Sequence, residues 1–101
     1  MNILFLLSDE HSFRFMGHVS EAEGGEADIE TPTFDQLTAQ GTVFNNAYCQ
    51  MPLCTPSRIS LLCGKEVRKS GAWSNNSVLR PELDTIPKAL ADAGYATCLV
   101  G

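Results

Sequence analysis

The segment Cys54-Thr55-Pro56-Ser57-Arg58 holds the residues best suited to chemistry. Its proline fits the first turn of a helix, where a missing N–H costs nothing. A helix N-terminus offers unpaired N–H groups and a partial positive charge, which favour an anion, a thiolate or an alkoxide. Arg58 can pair with an anionic oxygen in the same region. The residues suit a nucleophile acting on sulfate or phosphate, and a structural cysteine before a helix is the alternative.

Three apolar segments predict the strands that would position this chemistry: residues 2–8, 42–49 and 95–101. The first is a continuous apolar run that stops at a polar turn, which is typical of a strand buried on both faces of a parallel sheet. The last is equally apolar. We expect residues 2–8 and 95–100 to be parallel strands of one sheet, adjacent or nearly so.

Helix signals alternate with these strands. The segment TPTFDQLTAQG predicts a helix with Thr33 as N-cap and Gly41 as stop, PSRISLLCG predicts a second with Pro56 in its first turn, and DTIPKALADAG predicts a third that stops at Gly94. Residues 20–31 and 66–83 have no clear period and are expected to be a surface loop and a long connection. The pattern favours the α/β class, with a mainly parallel sheet flanked by helices and incomplete in this chain.

Two acidic residues, Asp9 and Glu10, follow the first predicted strand. The carboxyl ends of parallel strands are where ligand and metal groups collect in open α/β sheets. Carboxylate oxygens suit a hard divalent cation. The sequence therefore predicts a metal-binding turn here, with a solvated acidic turn as the alternative. For His11 we expect only a polar turn position.

Composition excludes several other classes. The 101 residues carry a net charge of -5, which argues against a nucleic-acid partner. The four cysteines form no CxxC pair and no zinc spacing. The N-terminal apolar run is too short to span a membrane and lacks the features of a signal peptide. A cytoplasmic location is slightly favoured, and a periplasmic or secreted one would follow if a leader had been removed.

The segment CTPSR also matches the C-x-P-S-R signature of the type I sulfatases, in the alkaline phosphatase superfamily. NILFLLSDEH resembles the opening strand and acidic metal turn of that family. TPTFDQLTAQGTVFNNAYCQMPLCTPSRISLLCGK and TIPKALADAGYATCLVG are similar to the segments that follow, in the same order. The resemblance covers nearly the whole chain. It implies an alkaline-phosphatase-like fold, of which residues 1–101 would form the N-terminal part of the catalytic domain.

The resemblance implies a particular role for Cys54. In sulfatases this cysteine is oxidised to formylglycine by a formylglycine-generating enzyme, and the hydrated aldehyde is the nucleophile. One hydroxyl attacks sulfur and displaces the alcohol. The second is then deprotonated, and sulfate leaves as the aldehyde re-forms. Arg58 would steady the nucleophile or the bound anion, and the substrate would be a small-molecule or carbohydrate sulfate ester.

The same resemblance implies a metal site, usually for calcium, with Asp9, Glu10 and residue 54 as ligands. Glu10 is a departure, because the family often has Asp at this position. Asn75 lies where some relatives place a substrate-contacting Asn, and a turn-forming Asn is equally compatible with the sequence WSNN.

Other functions stay open at this point. A phosphonate or phosphate monoester hydrolase of the same superfamily can share the signature. The family's Lys and His, and a second acidic cluster, are not among these residues, so we expect the 101-residue chain to be inactive alone. A non-catalytic fragment is the third reading.

Overall fold

The computed structural model describes residues 1–101, which divide into two compact units, Met1–Asn45 and Asn46–Gly101. The first unit contains two short 3₁₀ helices, Phe13–Phe15 and Glu21–Glu23, and the helix α1, Pro32–Gln40. The second unit contains α2, Cys54–Cys63, α3, Val67–Ser70, and α4, Ile86–Asp92.

Helix α1 lies where the sequence predicts it and ends at Gly41, but its N-cap is Thr31 and not Thr33. Pro32 occupies the first helical position, where its fixed φ fits and its missing N–H is no loss. The Thr31 carbonyl accepts the Asp35 N–H at 2.9 Å, and its hydroxyl accepts the Gly17 N–H at 2.8 Å. The prediction of Thr33 was therefore wrong because the proline permits an earlier start.

The second unit holds all of the fully buried residues. Helix α2 contacts both α3 and α4. The buried side chains are Pro56, Ile59 and Ser60 of α2, Val67 and Ser70 of α3, and Ala72 and Leu83 of the connection that follows. Burying apolar area in this way is the main favourable contribution to folding. One face of α2 is thus fixed against its neighbours.

Glycine also ends α2. Gly64 has a φ of 63°, in the left-handed region, where a residue without Cβ is favoured. The Ser60 hydroxyl donates a hydrogen bond across this end to the Lys65 carbonyl at 2.5 Å. Helix α4 begins at the N-cap Thr85, whose hydroxyl accepts the Lys88 N–H at 3.3 Å, and its C-terminal turn leads to Gly94 with a φ of 87°.

Helix α3 was not predicted. Its four residues lie inside the segment 66–83, which the sequence suggests is a connection. The buried Ser70 hydroxyl donates to the Val67 carbonyl at 3.2 Å and accepts the Ala72 N–H at 3.4 Å. A single turn is too short to show a helical period in the sequence. The turn is instead stabilised by burial of its side chains and by the hydrogen bonds of the Ser70 hydroxyl.

The predicted strands are not confirmed. Residues 2–8, 42–49 and 95–100 have no regular secondary structure, so the chain shows helices without a sheet. The apolar side chains of the first and last segments are exposed, Leu4 by 82% and Leu99 by 94%. A strand forms only when a neighbouring strand accepts and donates its backbone hydrogen bonds. The apolar pattern of these segments indicates a preference for burial, but no neighbouring strand pairs with them in this structure.

No helix in the structure is long and apolar enough to cross a membrane.

The end of α2 gives the first testable prediction. Gly64→Ala should lower the free energy of unfolding by about 1–2 kcal/mol, because a Cβ disfavours the left-handed backbone. No atom lies within 4 Å of the added Cβ, so strain alone would act. Urea unfolding measures the effect. Gly64→Asn is the matched control and should lose less, since Asn tolerates this conformation. Equal losses in both variants would contradict the explanation.

Candidate functional site

Helix α2 presents Cys54 and Arg58 on its exposed side. Cys54 is the first helical residue, and Arg58 follows one turn later. Residues four apart are neighbours on one helix face. Both are exposed, whereas Pro56 and Ile59 are buried on the opposite side. The sequence prediction that Pro56 lies in the first turn is confirmed.

The start of α2 has an unusual set of hydrogen bonds. Its N-cap is Leu53, which has no side-chain acceptor, and the Leu53 N–H donates to the Met51 carbonyl at 2.8 Å. The Thr55 N–H donates to Oδ1 of Asn75 at 3.1 Å. Pro56 has no N–H, and the regular helical bonds begin with Ser57 N–H to Leu53 O at 3.0 Å. A helix start leaves about four N–H groups without helical partners. Here the Cys54 N–H is the one that has no acceptor within the chain.

Asn75 is bound to Thr55 by a second hydrogen bond, from the Thr55 hydroxyl to the Asn75 carbonyl oxygen at 3.2 Å. It lies in a turn closed from both ends. The Ser77 N–H donates to Ser74 O at 3.0 Å, and the Ser74 N–H donates to Ser77 Oγ at 3.1 Å. The structure therefore places Asn75 next to the helix start that carries Cys54. Its predicted contact with substrate stays a prediction.

Asp9 and Glu10 lie in the first unit, in a bend after residues 2–8. Both are exposed. Glu10 has a φ of 52°, which is uncommon for a residue with a Cβ. Such strained backbone clusters at binding and catalytic sites. The second unit carries Cys54, so a metal site shared by Asp9 and residue 54 stays a prediction.

The donor atoms of Asp9 and Glu10 are of the kind that a hard divalent cation prefers. A metal ion needs more ligands than two adjacent carboxylates, and no group of three or more His, Cys, Asp or Glu side chains is arranged to hold one. These residues do not form a metal centre by themselves. The assignment of Asp9, Glu10 and Cys54 as ligands stays a prediction.

His11 has local partners. Its Nε2 lies 3.2 Å from the Phe15 carbonyl oxygen, and its ring lies 5.9 Å from that of Phe34, centroid to centroid. These contacts lie within the first unit and include none of the predicted site residues.

A family model described as Sulfatase matches residues 1–101, the whole chain. The chain belongs to the sulfatase family. Membership in this family implies an alkaline-phosphatase-like fold and, in general, a formylglycine residue and a divalent metal. The segment Cys54-Thr55-Pro56-Ser57-Arg58, which resembles the sulfatase signature, starts the helix whose exposed side is described above.

Several known sulfatases are similar to the chain. Arylsulfatase J of Mus musculus is 38% identical over 108 residues, which cover 99% of this chain and 17% of the relative. The uncharacterized sulfatase YidJ of Escherichia coli and the N-acetylglucosamine-6-O-sulfatase of Bacteroides thetaiotaomicron are each 35% identical over 100 residues, 99% of this chain and 19% and 17% of the relatives. The chain therefore spans about a fifth of the length of these relatives. No solved structure is a significant match.

Sequence reasoning missed the contact between Asn75 and Thr55, which are 20 residues apart. One signal was available. Leucine is a poor N-cap, so a helix that begins after Leu53 needs an acceptor from elsewhere in the chain. A polar turn between two helices is a natural source of it.

The backbone at Glu10 gives the second prediction. Glu10→Gly should raise the free energy of unfolding by about 1 kcal/mol in the presence of a metal chelator, because glycine relieves the positive φ. Asp28 is the matched control, with a φ of 57° outside the predicted site. Asp28→Gly should stabilise similarly, but only Glu10→Gly should weaken calcium binding in the full-length protein. Urea unfolding and calorimetric titration measure both quantities. Equal calcium affinity in the two variants would remove Glu10 from the metal site.

Proposed function

We propose that the full-length protein hydrolyses sulfate esters and that residues 1–101 form the N-terminal part of its catalytic domain. Cys54, converted to formylglycine by a formylglycine-generating enzyme, is the precursor of the nucleophile. The hydrated aldehyde supplies two hydroxyls on one carbon, so that one can attack sulfur and the other can expel sulfate. The observation that carries the proposal is the segment Cys54–Arg58 at the exposed start of α2, a helix whose other face is buried. A sulfatase family model matches the whole chain that contains this segment.

The local geometry at the start of α2 supports this role. The partial positive charge at the start of α2 favours an anion beside residue 54. Arg58, on the same exposed side, carries a guanidinium that can donate paired hydrogen bonds to sulfate oxygens. The Cys54 N–H adds a donor that no group in the chain occupies. Pro56, buried beneath, holds the helix while residue 54 stays accessible.

The substrate class that we propose is a carbohydrate or small aryl sulfate. The relative from Bacteroides thetaiotaomicron is an N-acetylglucosamine-6-O-sulfatase, and the relative from Mus musculus is an arylsulfatase. We further propose that Asp9 and Glu10 contribute carboxylate ligands to a calcium ion. Other parts of the full-length protein would supply the remaining ligands. Asn75 is proposed to lie at the edge of the substrate site.

The modification of Cys54 gives the third prediction. Protein produced together with a formylglycine-generating enzyme should carry an aldehyde at position 54, while Cys49, Cys63 and Cys98 stay thiols. Cys54→Ser should lower kcat by more than about 10³-fold, because one hydroxyl can accept the sulfuryl group but cannot expel it. Peptide mass spectrometry and turnover of 4-nitrophenyl sulfate measure the two effects. A covalent sulfate should accumulate on the serine variant.

Cys63→Ser is the matched control and should leave modification and turnover unchanged. An unmodified thiol in a fully active enzyme would overturn the proposal, as would normal turnover by an unmodified serine variant. Turnover of 4-nitrophenyl phosphate or a phosphonate monoester, in place of the sulfate, would instead identify a phosphate or phosphonate monoester hydrolase.

The metal assignment gives the fourth prediction. In the full-length protein, Asp9→Ala should weaken calcium binding at least about tenfold, because a carboxylate oxygen leaves the ligand set. Calorimetric titration of the chelator-treated protein measures the affinity. Asp28→Ala, a change of the same kind elsewhere in the first unit, should bind calcium normally. Unchanged affinity in Asp9→Ala would exclude Asp9 as a ligand.

A further inference from the structure

The start of α2 depends on a residue far from it in sequence. A helix N-terminus usually obtains its side-chain acceptor from its own N-cap residue. Leu53 cannot provide one, and no other side chain of α2 caps its start. Asn75 provides the acceptor instead, through Oδ1, which receives the Thr55 N–H at 3.1 Å.

A second hydrogen bond makes this contact directional. The Thr55 hydroxyl donates to the Asn75 carbonyl oxygen at 3.2 Å, so Thr55 and Asn75 are joined through two atoms of each residue. Two bonds fix both the distance and the relative orientation of the segments, which one bond cannot do. The turn Ser74–Ser77 is itself closed by two hydrogen bonds and presents Asn75 from a fixed position.

The residue next to Thr55 is Cys54, and no contact of this kind holds Cys54. It is exposed, and its N–H has no acceptor in the chain. Its backbone is therefore placed by its neighbours, Thr55 through Asn75 and Pro56 through burial. A reacting group must be held close to its productive geometry, and a displacement of about 1 Å can cost on the order of 10²-fold in rate.

We propose that Asn75 is a positioning residue for residue 54, acting through its two hydrogen bonds to Thr55. The inference rests on the proposed function of residue 54 as the nucleophile. It differs from the expectation that Asn75 contacts substrate, because Oδ1 of its side chain is already engaged by the protein. The two roles separate in kinetics: loss of positioning lowers kcat, whereas loss of a uniform substrate contact raises KM.

The test compares variants of the full-length protein, with the aldehyde content of residue 54 measured by mass spectrometry and used to normalise every rate. Asn75→Ala should lower kcat for 4-nitrophenyl sulfate about 10–100-fold and change KM less than about threefold. Amide hydrogen exchange in a peptide that begins upstream of Leu53 and contains Thr55 should become faster, since the Thr55 N–H loses its acceptor. Asn76→Ala, the same change one residue along the turn, should behave like the wild type.

Three further variants guard against a merely structural loss. Asn75→Asp keeps an oxygen acceptor and should restore the slow amide exchange and most of kcat, with a raised KM because its charge opposes an anionic substrate. Thr55→Val removes only the hydroxyl donor and should lower kcat less than Asn75→Ala, while Thr55→Ser should restore it. If Asn75→Ala fails to fold, the Thr55 pair and Asn75→Asp carry the test alone.

The opposite pattern would overturn the inference: Asn75→Ala with unchanged exchange and kcat but a raised KM, which would assign Asn75 to substrate contact. Unchanged exchange and unchanged kinetics would overturn it too. Failure of the proposed function would be seen separately, as a wild type that carries no aldehyde or turns over no sulfate ester. In that case the exchange measurement still tests whether Asn75 holds the start of α2.

Discussion

The start of α2 is the constraint on which the arrangement of the second unit depends. One side of this helix is anchored by burial of Pro56 and Ile59, and its first turn is anchored by the hydrogen bonds from Thr55 to Asn75. Burial is non-directional and holds the helix against its neighbours. The two hydrogen bonds add direction. Together they leave residue 54 exposed at a helix start whose partial charge favours anions.

The segment Cys54–Arg58, which resembles the family's signature, follows the same physical logic. Pro56 removes an N–H that would otherwise be unsatisfied, and it also fills the core of the second unit. Arg58 comes one turn after Cys54, which is the spacing that puts both on one face. Thr55 is the variable position of the signature, yet in this chain it makes the contact with Asn75. A five-residue segment thus combines the proposed reactive position, a cation and a structural anchor.

The sequence predicted the helices better than the sheet, because the signals for a helix lie close to it in the sequence. The ends of α1, α2 and α4 are marked by Gly41, Gly64 and Gly94, and the signals for each helix lie within it or beside it. Residues 2–8 and 95–100 carry a strand pattern, but a strand requires hydrogen bonds to another segment. The pattern alone cannot supply that partner. Helix α3 was not predicted for another reason: it has four residues, and a single turn is too short to show a helical period.

The features of the candidate site also divide into those that lie in one sequence segment and those that depend on distant contacts. The sequence could predict that Cys54 and Arg58 share the start of one helix, because their spacing and the proline lie in one segment. Their roles in a reaction stay predictions. The role of Asn75 at the helix start was not predicted, because it depends on a contact across 20 residues. Asp9 and Glu10 were predicted as metal ligands from their position after an apolar run. The structure adds the positive φ of Glu10, which could not be predicted from the pattern of residue types.

The proposed chemistry depends on an aldehyde at position 54, which titration of the active full-length enzyme with an aminooxy reagent would detect. Such a reagent condenses with aldehydes and not with thiols. We expect label at residue 54 alone and a fall of sulfatase activity in proportion to the fraction labelled, reaching zero at one label per chain. Full activity after complete labelling, or an active enzyme that takes up no label, would contradict the proposal.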